Sequence, residues 1–338
     1  MTPRQRLFVA EYLVDLNGKE AAIRAGYRAA GAAVRAAKIL ANPVVAAALA
    51  EAQAALAQRT GVTASRVIGE YSKIAFFDPR TIARDDGESL AMLPSSRVPA
   101  DGAAAIGALA EYRVKGQTCV RVTPFDKLGA LNSLGRILGV FGGKGVDVAR
   151  LNDGAAAVAP PVARENLEPL SARQRRFADA YLVDFNGGNA ARRAGYATGS
   201  APYQATRLLQ YPGIAARIAA GMEKRLADPR ARADRAIAAY AAIAFADMKR
   251  VARWTDRRIT LLARRDIGAA DAAAIERIEA PPGEPVRIRL HDKKYTLDRL
   301  AMHLGLLRPT TPGRVSGRQL PEQKAAALLR ARIKALGI

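Results

Sequence analysis

The chain carries much of its own sequence twice. Arg4-Gln5-Arg6-Leu7-Phe8 and Tyr12-Leu13-Val14-Asp15-Leu16-Asn17-Gly18 return 169 residues later as Arg173-Gln174-Arg175-Arg176-Phe177 and Tyr181-Leu182-Val183-Asp184-Phe185-Asn186-Gly187. The same offset relates Ala21-Ala22-Ile23-Arg24-Ala25-Gly26-Tyr27 to Ala190-Ala191-Arg192-Arg193-Ala194-Gly195-Tyr196, and Ile74-Ala75-Phe76-Phe77-Asp78 to Ile243-Ala244-Phe245-Ala246-Asp247. After a slip of three residues, Asp126-Lys127 returns as Asp292-Lys293, and Leu131, Leu134 and Leu138-Gly139 return as Leu297, Leu300 and Leu304-Gly305. Self-similarity of this length marks a tandem duplication, so one fold has to serve two copies. The repeats cover residues 1–141 and 170–307. Residues 142–169 hold Gly142-Gly143 and Pro160-Pro161, the composition of a flexible linker, and 308–338 form a tail.

Charge narrows the partners. The net charge is +22, divided as +6 on 1–141, −1 on 142–169, +11 on 170–307 and +6 on 308–338. The cationic excess therefore lies on the repeats and the tail, which points to an anionic partner. Apolar runs such as residues 44–49 fall far short of the roughly 20 residues that span a bilayer. Arg4 and Arg6 precede no apolar signal segment, so neither a secretory nor a membrane chain is expected. One cysteine, Cys119, forbids an internal disulfide and a multi-cysteine zinc site, and His291 and His303 are the sole imidazoles. No metal and no cofactor is expected.

The local pattern is mainly α. Leu7, Phe8, Tyr12 and Leu16 fall on one face of an opening helix. Asn17 reads as the N-cap of a second helix over 19–25. Ala22 and Gly26, four residues apart, suit a helix-turn-helix: the small residue permits close approach and the glycine takes the left-handed turn. A third helix over 32–41 is expected to pack Val34, Ala37, Ile39 and Leu40 inward, and Pro43 starts a fourth, as Pro202 and Pro212 start helices in the second copy. The helix-turn-helix regions are thus about 3–42 and 172–211. Thr63 and Asp228-Pro229 each mark a further helix start, with Phe76 and Phe245 in the core. Tyr112-Arg113-Val114-Lys115, Gly116 and the strand-like stretch from Cys119 predict a small β-hairpin, mirrored by 275–279 and 286–290. Each repeat is therefore an N-terminal helix-turn-helix domain followed by helices and a hairpin.

On the third helix Arg35 and Lys38 face outward, and Gln204 and Arg207 are their counterparts. Arginine forks onto guanine, glutamine onto adenine, and lysine neutralises phosphate. A solvated polar face would look the same, but a cation recurs at Lys38 and Arg207 within a repeated helix-turn-helix. The expected DNA-contacting residues are Arg24, Arg28, Arg35 and Lys38 with Arg192, Arg193, Gln204 and Arg207, of which Arg24 and Arg193 hold phosphates.

These features resemble the small subunit of phage terminases. The resemblance rests on Thr2-Pro3-Arg4-Gln5, Tyr12-Leu13-Val14-Asp15, Asn17, the stretch from Ala21 to Gly26-Tyr27, Asn42-Pro43, Gly61-Val62-Thr63 and Asp126-Lys127 with its trailing Leu-Gly. It implies a non-catalytic subunit, at work in the host cell cytoplasm. Such a subunit binds double-stranded viral DNA at the packaging-initiation site and assembles with itself into a ring. It hands the DNA to a large terminase subunit that carries the ATPase and nuclease. The duplication departs from the family pattern and leaves the number of chains per ring open. A helix-turn-helix transcription regulator with two DNA-reading modules on one chain is the alternative.

Other motifs weigh little. Gly142-Gly143-Lys144-Gly145 is no phosphate loop, because Leu138 stands at the first glycine and Gly145 at the hydroxyl position. Asp85-Asp86 and Glu88 read as a polar loop and Cys119 as a small strand residue, while His291 and His303 are structural or surface residues. Trp254 is expected to pack rather than to stack on a base. Pro321 opens a basic amphipathic helix in the tail, which suits docking the large subunit, holding DNA or capping the second repeat.

Overall fold

Local capping chemistry sets most of the helix starts. A computed structural model of the chain describes residues 1–85, 90–140, 169–308 and 322–335. Four helices open the first repeat: α1 (Pro3–Asp15), α2 (Gly18–Arg24), α3 (Ala32–Leu40) and α4 (Pro43–Thr60). Then come α5 (Ala64–Ala75), the strands β1 (Ala83–Asp85) and β2 (Leu90–Met92), α6 (Ala100–Ala104), β3 (Ile106–Val114), β4 (Gln117–Pro124) and α7 (Lys127–Ile137). The second repeat supplies α8 (Ala172–Asp184), α9 (Gly187–Arg193), α10 (Ala201–Gln210), α11 (Pro212–Ala244), β5 (Ala252–Trp254), β6 (Ile259–Leu261), α12 (Ala269–Ala273), β7 (Ile275–Glu279), β8 (Arg287–Leu290) and α13 (Lys293–His303). The tail adds α14 (Glu322–Ala335). Thr63, Asp126 and Asp292 each cap a helix by accepting a backbone N–H into the side chain.

The repeats share their packing. One compact unit takes Met1–Gln53 with the described part of Ala155–Asp234, and so joins the two helix-turn-helix regions. The other takes the described parts of Ala54–Gly154 and Arg235–Ile338. In the second unit the two expected hairpins merge into one antiparallel sheet of order β4-β3-β8-β7, in which Leu109 of the first repeat pairs with Ile288 of the second. Beneath it lie residues of both copies, among them Ile106, Leu109, Met248, Val251, Trp254 and Ile288. Trp254 is 2% exposed, a core residue as expected.

Polar side chains also join the copies within this unit. Lys293 on α13 is 0% exposed; its Nζ lies 2.8 Å from Glu70 Oε2 on α5 and donates to the carbonyls of Ala104 and Ala246 at 3.0 Å each. Lys73 adds a second ammonium 2.6 Å from Glu70 Oε1. Burial pushes the Glu70 carboxyl up, but the two lysines overcome this and hold it below its ordinary value. Asp298 on α13 accepts from the hydroxyls of Tyr71 on α5 and Ser133 on α7, at 2.6 Å each. Burial, aided by the Asp298 charge, pushes the Tyr71 hydroxyl far above its ordinary range.

Four expectations are corrected. First, the buried stripe of α3 is Ala32, Ala36 and Ile39, so Val34 (64% exposed) and Ala37 face outward. Second, Asp228-Pro229 starts no helix, because α11 runs through Pro229. The first copy breaks at Gly61, with φ +66°, and restarts on the Thr63 cap. The second copy has Arg230 and Arg232 at those positions, which supply neither the glycine turn nor the hydroxyl. Third, Phe76 and Phe245 are half-buried rather than core, and each carries a guanidinium on its ring: Arg330 at 4.9 Å and Arg66 at 3.8 Å from the centroid. Phe77 and Ala246 take the buried places. Fourth, α14 buries Leu329 and Ile333 and packs on α7, while its Arg330 covers Phe76; the tail thus caps elements of the first repeat. Residues 142–168 of the linker, which include the Gly142-Gly143-Lys144-Gly145 stretch, and the acidic Asp86 and Glu88 lie outside the described residues.

Candidate nucleic-acid interface

Each helix-turn-helix is assembled by the same local rules. Thr2 and Gln5 form a capping box at the head of α1, as Ser171 and Gln174 do for α8. Leu16 and Phe185 end those helices in the left-handed region, with φ 59° and 53°. The next residue then starts a helix: the Asn17 carboxamide accepts from Glu20 N–H at 3.3 Å, and that of Asn186 accepts from Asn189 N–H at 3.0 Å. Gly26 and Gly195 take the turn after α2 and α9 with φ +86° and +90°, as the sequence predicts.

Close approach depends on a second glycine at the start of α2 and of α9. A Cβ on Gly18 would lie 3.1 Å from the Ala36 Cβ, and one on Gly187 would lie 2.9 Å from the Ala205 Cβ. The duplicated Asn-Gly pair was the available signal, since only glycine lets these helix starts press on the following helix. Gly187→Val is expected to cost about 1–3 kcal/mol by overpacking, seen as a lower midpoint in thermal unfolding.

With the inner stripes of α3 and α10 held in this way, their outer faces carry the expected contacts. Arg35, Lys38 and Arg207 are exposed, Gln204 is half-exposed, and Arg28 is exposed in the turn before α3. A shallow groove along α3 is lined by Gln5, Tyr27, Val34, Arg35, Lys38 and Asn42. Burial pushes the Tyr27 hydroxyl up, against the pull of Arg4 and Arg35. Neither Arg4 nor its counterpart Arg173 was singled out in the sequence, yet each puts a guanidinium over the tyrosine after the turn, Arg4 at 5.2 Å from Tyr27 and Arg173 at 4.2 Å from Tyr196. Retention of Arg and Tyr together in both copies was the missed sign.

The remaining expected residues have partners inside the chain. Arg24 Nε lies 2.6 Å from Glu11 Oε2 and its Nη2 3.0 Å from Asp15 Oδ2, which ties α2 to α1. Arg193 pairs with Asp184 at 3.0 Å in the same manner. Arg192 donates to Asn189 Oδ1 at 2.9 Å on its own helix. Two further contacts join the modules within their unit: Arg4 donates to the Asp184 carbonyl, and Arg232 Nη2 donates to buried Glu11 Oε1 at 2.8 Å. No group of His, Cys, Asp and Glu suited to a metal ion occurs among the described residues, and no single described helix is long and apolar enough to cross a membrane.

A family model described as terminase small subunit matches residues 1–146 and, separately, residues 170–319. No curated protein and no solved structure matches the chain.

Proposed function

The chain belongs to the terminase small-subunit family, with two copies of the family's module in tandem, and from that premise we propose that it recognises double-stranded viral DNA at the packaging-initiation site. In this role it assembles with itself into a ring and recruits the large terminase subunit. It acts without catalysis of its own, in the host cytoplasm, with residues 1–141 and 170–307 as modules, 142–169 as linker and 308–338 as tail.

One observation carries the reading: a helix-turn-helix framework is kept twice, and the outer faces of α3 and α10 bear Arg35 and Lys38 or Gln204 and Arg207. These side chains reach bases and phosphates, Arg28 and Arg192 add phosphate contacts, and Arg24 and Arg193 fix the angle between the first two helices. If about six phosphates are neutralised, log affinity falls against log salt with a slope of roughly −5. Fluorescence anisotropy of the full chain on duplex DNA across a salt series measures that slope, and a value near zero removes the electrostatic part of the reading.

A further inference from the structure

α3 and α10 have kept their inner faces and changed their outer ones. Inside, Ala32, Ala36, Ile39 and Leu40 match Ala201, Ala205, Leu208 and Leu209. Outside, the positions of Val34, Arg35, Ala37 and Lys38 hold Tyr203, Gln204, Thr206 and Arg207 in the second copy, different at every position. Tyr203 is 66% exposed, so packing does not explain its size. Arginine's fork suits the acceptor pair of guanine, whereas glutamine suits the acceptor and donor of adenine.

The contacts between the modules are also unlike. Arg4 and Arg173 each lie over the tyrosine of their own repeat, and Arg4 in addition reaches the Asp184 carbonyl at the end of α8. Glu11 pairs with Arg232, and the positions related to them by duplication are Ala180 and Thr63, which cannot form an ion pair. The Glu11–Arg232 link is thus made in one direction only. A symmetric dimer reads an inverted repeat because its own symmetry is imposed on the site. This pair of modules does not have identical readers.

We infer that one chain recognises a non-palindromic duplex with two unlike blocks, a guanine-containing block under α3 and an adenine-containing block under α10. This rests on the DNA-binding function proposed above and specifies its substrate.

Selection of bound duplexes from a randomised library by the full chain tests it. The expected consensus has two blocks without inverted symmetry, and replacing the key base of one block lowers affinity on the order of tenfold. A second selection uses Val34→Tyr/Arg35→Gln/Ala37→Thr/Lys38→Arg, which gives α3 the outer face of α10 at exposed positions. It is expected to change one block so that it matches the other. A palindromic consensus, a single block, a change in both blocks, or strong binding without any consensus overturns the inference while leaving DNA binding intact. Absence of duplex binding by the full chain at low salt overturns the underlying function as well.

Discussion

Lys293→Met is expected to destabilise the unit that holds the four-stranded sheet by about 3–5 kcal/mol, or roughly 6–20 °C in Tm. The ammonium has no exposure and meets one carboxylate and two carbonyls. Without it those carbonyls lose their donor, and Glu70 keeps its charge in a buried site with Lys73 alone. The double variant Glu70→Gln/Lys293→Met removes both charges and is expected to recover most of the loss, because the larger part of the cost is the unpaired survivor. Differential scanning calorimetry of the three proteins decides this, and equal melting of wild type and Lys293→Met would refute it. Acid supplies a second readout. The folded-state pKa of Glu70 lies below its unfolded value near 4.3, so its contribution is full above about that pH and is lost as the pH falls through the folded pKa. Glu70→Gln is expected to flatten that acid limb.

Replacing Arg35, Lys38, Gln204 and Arg207 together by alanine is expected to weaken duplex binding on the order of 100-fold or more at moderate salt. The salt slope is expected to become shallower by roughly 2.7, from three lost cations at 0.9 each. None of the four side chains is buried, so stability changes by about 0.5 kcal/mol or less. Arg24→Gln gives the contrasting control. It removes one of two guanidinium partners from buried Glu11, and is expected to lower the melting point with little effect on the slope. Anisotropy and thermal melting on the same preparations separate the two classes; a full-strength slope in the quadruple variant would place the phosphate contacts elsewhere.

What could be read in the sequence followed the distance over which each signal acts. Caps at Asn17 and Thr63 and turns at Gly26 involve partners within a few residues, so their geometry follows from residue type. The phase of α3 misled because Val34 has the residue type of a core position, whereas the small side chains of Ala32 and Ala36 fill the buried face with Ile39. The shared sheet was out of reach for a different reason: each hairpin is local, but the register of Leu109 with Ile288 is fixed by folding across the whole chain. The same holds for the candidate site. Exposure of Arg35 and Lys38 followed from helical spacing, whereas the employment of Arg24 depended on a carboxylate a helix away and on Arg232 beyond it. The run through Pro229 was legible only by comparing the copies, since Arg230 and Arg232 stand where Gly61 and Thr63 break and restart the helix.

The pairing of β3 with β8 has a historical consequence. A chain that doubles its gene first gains a spare copy, free to decay or to be deleted. Here the inner strand of each hairpin has become the other's neighbour, and a lysine of the later copy neutralises a glutamate of the earlier one. Excision of either copy would uncover a sheet edge and strand a buried charge. The duplication has become a ratchet: neither half is redundant any longer, and selection can reshape the two outer faces separately but cannot return the gene to single length by one deletion.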